Sequence, residues 1–339
     1  MQPLIKKVEV GGHLSRQEAE TAMEEILSGR AEEDSIVALL AALRTKGETV
    51  EELVGFARAM RRHATPIFSD GSRPDELLVD TCGTGGDASG TFNISTAAAF
   101  VAAGAGVRVA KHGNRSISSK CGSADVLEAL GISLDVPPEG IAASINEIGI
   151  GFLFAPAMHT AMRHAMPARR RLGRTAFNLL GPLTNPAGAR AQVVGVFSDK
   201  VVEKVALVLA ELGVDHAFIV HGAGGLDEIS LAGETSVGEV LHDNVRLYEV
   251  TPEDFGLERA PLSAISGGDA DDNAELIRAI FAGETGPRRD IVVANSAAAL
   301  VAAGRAADFL EGAQLAAQSI DSGAARKKLE ALISFTSRS

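Results

Sequence analysis

The sequence predicts an α/β fold in which a small N-terminal helical domain precedes a larger domain built on a mostly parallel sheet. Up to about residue 70, apolar residues recur at helical spacing; from Leu77 onward, short apolar runs alternate with alanine-rich helical stretches. The second pattern is that of parallel strands covered by helices. The 339 residues, 46% of them hydrophobic, are enough for one large or two ordinary domains with real cores.

The helices announce their own starts. Ser15 with Glu18, and Thr49 with Glu52, have the spacing of a capping box, in which each side chain satisfies the other residue's orphan backbone N–H. Ala19, Ala22, Met23, Ile26 and Leu27 follow the first cap at helical spacing; Val50, Leu53, Val54, Ala57 and Met60 follow the second. Between them residues 36–43 read as a more buried helix that stops at Lys46-Gly47. The run Phe68-Ser69-Asp70-Gly71-Ser72-Arg73-Pro74 is all turn chemistry and sets the expected boundary, with a helical domain at 1–70 and an α/β domain at 74–339. Strands are expected at 77–82, 107–110, 193–197 and 217–221. Ligands gather at the carboxyl ends of such strands. Three of these runs lead into polar or glycine-rich loops, so three loops are expected to share one edge.

Charge and cysteine usage narrow the function classes. A net charge of -12 and a pI near 5.2 argue against a nucleic-acid backbone as principal ligand, because such binding needs a basic footprint. Cys82 and Cys121 are too few for a disulfide framework and read as two reduced core thiols. Residues 1–10 lack the apolar stretch and cleavage site of a secretory signal, and the apolar runs are too interrupted for a membrane span, so a cytoplasmic protein is expected.

Three loops carry chemistry. Asp80-Thr81-Cys82-Gly83-Thr84-Gly85-Gly86-Asp87 leads into Asn93-Ile94-Ser95-Thr96 and an alanine-rich helix. Glycines there let backbone N–H groups turn inward as an anion nest, and the helix adds its positive end. The run is neither a Walker loop nor a dinucleotide fingerprint, and a plain tight turn is the alternative. The stretch from Lys111 to Asp125 gathers the cations Lys111, Arg115 and Lys120 with several hydroxyls, an ordinary arrangement around a polyphosphate and also found on solvated surface loops. Ser123 there also fits a helix cap. Finally, Asp227 and Glu228 emerge from the glycine turn Gly224-Gly225; magnesium takes one or two such carboxylates, with substrate phosphates supplying further oxygens.

Together these motifs resemble the anthranilate phosphoribosyltransferase family. The resemblance rests on Gly83-Thr84-Gly85-Gly86-Asp87, Asn93-Ile94-Ser95-Thr96, Lys111-His112-Gly113-Asn114-Arg115 with Gly122-Ser123-Ala124-Asp125, Arg174-Thr175 with the run from Phe177 to Pro186, and Asp227-Glu228. It implies transfer of the phosphoribosyl group of 5-phosphoribosyl 1-diphosphate to the amine of anthranilate, a step of tryptophan biosynthesis. Around the donor it implies Gly83, Gly86, Asp87, Thr91, Asn93, Ile94, Ser95, Thr96, Lys111, His112, Gly113, Asn114, Arg115, Ser116, Ile117, Ser118, Ser119 and Ser123. Magnesium, as two ions with the diphosphate, would be held by Ser95, Asp227 and Glu228. Anthranilate would meet Gly83, Asn114, His159, Pro167 and Arg169. No protein nucleophile is implied; catalysis is positional and electrostatic.

The resemblance further implies the nucleoside-phosphorylase-like phosphoribosyltransferase fold, with the active site in the interdomain cleft, a segment near 169–188 returning to the helical domain, and a homodimer. Cys121 stands where relatives more often carry serine, Thr160 where proline is usual, and the Gly173-Arg174 link is one residue short. Two rival readings are a pyrimidine nucleoside phosphorylase, against which the acid pair speaks, and a non-enzymatic nucleic-acid-binding relative, against which the acidic balance speaks.

Overall fold

A computed structural model describes residues 1–68, 73–85, 89–116 and 120–338. Helices α1 (Gln2–Glu9), α2 (Arg16–Leu27), α3 (Glu33–Lys46) and α4 (Val50–His63) come first. Both capping boxes form: Ser15 accepts from the Glu18 N–H while Glu18 accepts from Ser15, and Thr49 and Glu52 do the same. Each such cap stabilises its helix by about 1 kcal/mol. Helix α3 ends where expected, at Gly47, whose φ of +84° lies in the left-handed region open to glycine. It begins a turn earlier than the apolar run. Helix α1 has no sequence-based counterpart; it places Ile5 and Val8 in the core.

The described residues then alternate strand and helix: β1 (Leu78–Gly83), α5 (Ile94–Gly104), β2 (Arg108–Gly113), α6 (Ser123–Ala129), α7 (Pro138–Glu147) and β3 (Ile150–Phe154). Short helices α8 (Ala155–Met158), α9 (Met166–Leu172) and α10 (Ala176–Leu180) lead to β4 (Ala191–Gly195), α11 (Val202–Glu211) and β5 (His216–Gly222). A hairpin of β6 (Thr235–Leu241) and β7 (Asn244–Val250) precedes α12 (Ala270–Phe281), α13 (Pro287–Ala302), α14 (Phe309–Asp321) and α15 (Ala324–Thr336). The seven strands form one sheet in the order β3-β2-β1-β4-β5-β6-β7, parallel through β5 and antiparallel beyond it. The four expected strands are β1, β2, β4 and β5. The edge strand β3 and the β6–β7 hairpin were not expected.

Alternation along the strands splits the core. Val193, Phe218 and Val220 face a cluster with α5, α13, α14 and α15, while their neighbours Val194, Ala217 and Ile219 face α11 and the N-terminal helices. Both faces of the parallel part are covered, which is why its strands read as nearly continuous apolar runs. Ala168, Phe177 and Leu180, from α9 and α10, share the second cluster with Leu39, Leu40 and Leu43 of α3. Arg44 donates to the Leu172 carbonyl (2.9 Å) and Arg61 to that of Leu183 (2.8 Å), binding residues 172–183 to the N-terminal helices. Among the described residues no helix is long and apolar enough to cross a membrane.

Candidate active site

Three loops at the carboxyl ends of β1, β2 and β5 do share one edge, and two of them touch. A Cβ on Gly83 would lie 2.7 Å from Asp227 Oδ2, and one on Gly195, at the end of β4, 1.6 Å from the Asp227 carbonyl oxygen. Only glycine permits those approaches. The Gly85 N–H donates to Asp227 Oδ2 at 3.0 Å, and the Ser95 N–H, in the first turn of α5, to Glu228 Oε1 at 3.1 Å. The acid pair is thus clamped between the glycine turn and a helix start.

Burial pushes Glu228 up to about 8, the Asp227 charge pushes the same way, and Lys111 and Ser95 pull against them. A half-buried carboxylate pair with this surplus of negative charge, beside the Ser95 hydroxyl, is an all-oxygen donor set suited to a hard divalent cation. Magnesium fits it. The start of α5 also keeps unused polar capacity among the described residues: Asn93 at its N-cap makes no capping bond, and the buried Thr96 hydroxyl has no partner. Such orphan groups at a helix N-terminus are what phosphate oxygens satisfy. The Asn93 side chain is held instead by Asn273 Nδ2 (3.1 Å) and donates to the Cys121 carbonyl (3.4 Å). Thr91 bridges to Ser266 and shares a 3.1 Å hydroxyl contact with Ser89, while Ile94 is core.

The second loop is closed by Ser123. Its Oγ accepts from the Asn114 N–H (3.1 Å), donates to the Asn114 carbonyl (3.2 Å), and would lie 2.3 Å from a Cβ on Gly113. Asp125 ties Ser116 (3.1 Å) and Gly122 (2.8 Å) by their N–H groups. The three cations, however, do not gather. Lys111 is buried and donates to the Thr81 carbonyl beneath the loop; Arg115 is engaged by Asp125 at 3.0 Å and Glu128 at 2.5 Å and lies 5.6 Å over Phe154; Lys120 is exposed. Arg115 takes the acids of the next helix because they lie one and two turns along its near face.

The remaining expected residues are two histidines, an arginine and a proline. The His112 ring, at the end of β2, lies 5.2 Å from that of His159, after α8. Burial drives His112 down to about 3 and His159 to about 4, so both are neutral at neutral pH, and in both Nε2 is buried without a partner among the described residues. Arg169, on α9, lies 5.2 Å over the Phe177 ring, and burial lowers its pKa. No carboxylate among the described residues pairs with it. A half-buried guanidinium without a counter-charge is a fork suited to a carboxylate. Its neighbours are engaged or exposed: Arg171 with Glu33 and Asp34, Arg174 4.2 Å over Phe197, Arg170 toward solvent. Pro167 is half-buried in the first turn of α9. Burial holds the Cys82 thiol well up and the Cys121 thiol at about 11, so neither is a thiolate. The expected site residues Gly86, Asp87, Ile117, Ser118 and Ser119 lie outside the described residues.

A family model described as "Glycosyl transferase family, a/b domain" matches residues 75–326, and one described as "Glycosyl transferase family, helical bundle domain" matches residues 2–64. The anthranilate phosphoribosyltransferase of Symbiobacterium thermophilum is 55% identical over 339 residues, covering 100% of this chain and 98% of that protein. The chain belongs to the anthranilate phosphoribosyltransferase family. It is therefore an enzyme, a pentosyltransferase. The crystal structure of the Thermus thermophilus anthranilate phosphoribosyltransferase superposes with a TM-score of 0.92 at 46% identity, covering 98% of this chain and 99% of that one. The Saccharomyces cerevisiae anthranilate phosphoribosyltransferase in complex with PRPP and Mg gives 0.89 at 29% identity, covering 100% and 98%. The same yeast enzyme with 4-fluoroanthranilate gives 0.86 at 28%, covering 99% and 98%.

Sequence reasoning overlooked Asp80 as a contributor to this site, and also Gly195 and Asn273. Asp80 carried a signal: a carboxylate in the middle of an apolar strand, fully buried. Gly195 and Asn273 carried none, because each acts on a residue far along the chain.

Proposed function

We propose that this enzyme transfers the 5-phosphoribosyl group of 5-phosphoribosyl 1-diphosphate to the amine of anthranilate, giving N-(5-phosphoribosyl)anthranilate and diphosphate in tryptophan biosynthesis. The observation that carries it is the Asp227–Glu228 pair clamped by the Gly85 and Ser95 N–H groups at the start of α5, whose N-cap Asn93 makes no capping bond of its own. The sites follow the sequence-based assignment. Gly83, Thr91, Asn93, Ile94, Ser95, Thr96, the loop from Lys111 to Ser116 and Ser123 surround the donor, Lys111 from beneath; Gly86, Asp87, Ile117, Ser118 and Ser119 join them by resemblance. Gly83, Asn114, His159, Pro167 and Arg169 take the acceptor. Ser95, Asp227 and Glu228 hold magnesium, two ions with the diphosphate. The cleft lies between a helical domain of residues 1–70, completed by 169–188, and an α/β domain of residues 74–339; the enzyme works as a cytoplasmic homodimer.

Bound magnesium would neutralise charge that grows on the departing diphosphate. The protein's own part is placement. The Thr96 hydroxyl and the positive end of α5 receive diphosphate oxygens, stabilising the leaving group as the C1–O bond breaks with its electron pair. Arg169 fixes the aryl carboxylate so that the amine lone pair faces C1, and the C–N bond forms as the amine proton is lost to solvent. Holding both reactants in such a pose contributes up to roughly 7–11 kcal/mol.

The test is turnover with both substrates and magnesium, followed as loss of anthranilate fluorescence and as diphosphate release. Equal signals that vanish when either substrate is omitted support the proposal. A folded protein silent in both, yet cleaving pyrimidine nucleosides with phosphate, overturns it.

A further inference from the structure

Asn93, at the start of α5, does not cap its own helix, and the reason lies 180 residues along the chain. Its Oδ1 accepts from Asn273 Nδ2 at 3.1 Å and from the Cys121 thiol at 3.3 Å, so both lone pairs of that oxygen are taken. Its Nδ2 donates one proton to the Cys121 carbonyl at 3.4 Å; the other proton has no partner among the described residues. The thiol has a second acceptor within reach, the Gly122 carbonyl at 3.4 Å, which leaves Asn273 as the constant donor to Asn93.

The orientation of Asn273 is itself fixed. It is 1% exposed in the first turns of α12, and its Oδ1 accepts from the Gly268 N–H at 2.8 Å, so its NH2 end is the one that faces Asn93. The helix that carries it is anchored along its length. Asp269 caps it by accepting from the Asp271 and Asp272 N–H groups, Arg278 donates to the Leu130 carbonyl after α6 (2.9 Å), and Phe281 meets Phe100 of α5 edge-on at 6.1 Å. Just before it, the Gly267 N–H donates to the Gly90 carbonyl (2.9 Å), and a Cβ on Gly267 would lie 2.5 Å from the Phe92 nitrogen. Asn273 is thus where α12 meets both the run into α5 and the loop before α6.

An asparagine at a helix start ordinarily turns its oxygen onto N–H groups of the first turn, and in that pose it would cover the helix end. We infer that Asn273 is a positioning residue of the donor site: by holding Asn93 Oδ1 it keeps that side chain from capping α5 and leaves Asn93 able to offer the donor an N–H only. Such a group suits phosphate and ribose oxygens, which accept, and Cys121 supports the same orientation. This rests on the reading of Asn93 and the α5 start as donor contacts.

The test is calorimetric titration of the full chain with 5-phosphoribosyl 1-diphosphate and magnesium, without anthranilate. Asn273→Ala should raise the donor Kd about ten-fold, the size of one hydrogen bond, while KM for anthranilate at saturating donor stays within about two-fold. Asn273→Asp keeps the shape and an oxygen for the Gly268 N–H but offers Asn93 an acceptor in place of a donor, so it should weaken donor binding at least as much. In an Asn93→Ala background, adding Asn273→Ala should change the donor Kd by less than about two-fold, because Asn273 acts through Asn93. Wild-type donor affinity in both folded Asn273 variants, or effects of Asn93→Ala and Asn273→Ala that simply add, would overturn the inference. The wild type carries a test of its own should the variants not fold: in crystals grown with magnesium and the donor, a donor oxygen should lie within hydrogen-bond distance of Asn93 Nδ2 while Oδ1 still faces Asn273. An Asn93 turned onto the α5 N–H groups in those crystals overturns the inference. A wild type that binds no donor defeats the functional reading instead, since every comparison starts from its Kd.

Discussion

The two sides of the site are built from opposite materials. The proposed donor side is a short-range device: a glycine turn and a helix start whose N–H groups hold two adjacent carboxylates, with the Thr96 hydroxyl unpartnered among the described residues beside them. The proposed acceptor side is drawn from residues far apart in the chain, Gly83, Asn114, neutral His159, Pro167 and Arg169, with which no described carboxylate pairs. The contrast follows from the ligands. A metal diphosphate demands many oxygen and N–H partners that local backbone can supply, whereas an aryl carboxylate demands one cation and an apolar, water-poor surround.

Variants can break this division, and the largest effect is expected at Gly195. A Cβ there would meet the Asp227 carbonyl oxygen at 1.6 Å, so Gly195→Ala must shift backbone on the donor side. It should destabilise the fold by about 1–3 kcal/mol or more and abolish measurable turnover. A denaturant midpoint and an initial rate check both. Next come Asp227→Asn and Glu228→Gln, expected to cut turnover about 10²-fold or more and to raise the magnesium concentration needed for half-maximal rate. Rates measured across a magnesium series would refute the metal role if both variants kept the wild-type dependence.

On the acceptor side, Arg169→Ala should raise KM for anthranilate about 10- to 100-fold, the range of a lost charge-assisted hydrogen bond, and leave KM for the donor nearly unchanged. An effect confined to the donor would move Arg169 across the site. The smallest effect is on stability. His112 and His159, held at about 3 and about 4, stay neutral in the folded protein while the unfolded chain takes up protons below about 6.5. The unfolded state then binds more protons, so stability is intact above pH 6.5 and falls as pH drops toward the folded values, by about 2 kcal/mol per ring at pH 5. Urea midpoints at pH 7 and pH 5 in the wild type and in His159→Gln measure it; an equal loss in both would show that the ring is not buried neutral.

The same contrast decides what the sequence could tell. Capping boxes at Ser15 and Thr49 are local, and so are the apolar runs of β1, β2, β4 and β5; all were legible, as was the acid pair. The β6–β7 hairpin was not, because its turn is His242-Asp243, with His242 at φ +53°, rather than the Asn-Gly pair that marks such turns. Strand β3 was hidden by Gly149 and Gly151, which broke its apolar run. Asp80 and Asn185 meet across 105 residues, and no local spacing announces a contact of that kind. The gathering of three loop cations was a plausible local expectation that tertiary structure overrode, Arg115 finding Asp125 and Glu128.

The division into two sides is tested most directly by calorimetric titration of Glu228→Gln and Arg169→Ala with each substrate in turn, the donor in the presence of magnesium and anthranilate in the presence of magnesium diphosphate. A crossed result is predicted: Glu228→Gln weakens the donor and spares anthranilate, and Arg169→Ala weakens anthranilate and spares the donor. Equal weakening of both ligands in either variant, or the reverse pairing, would contradict it.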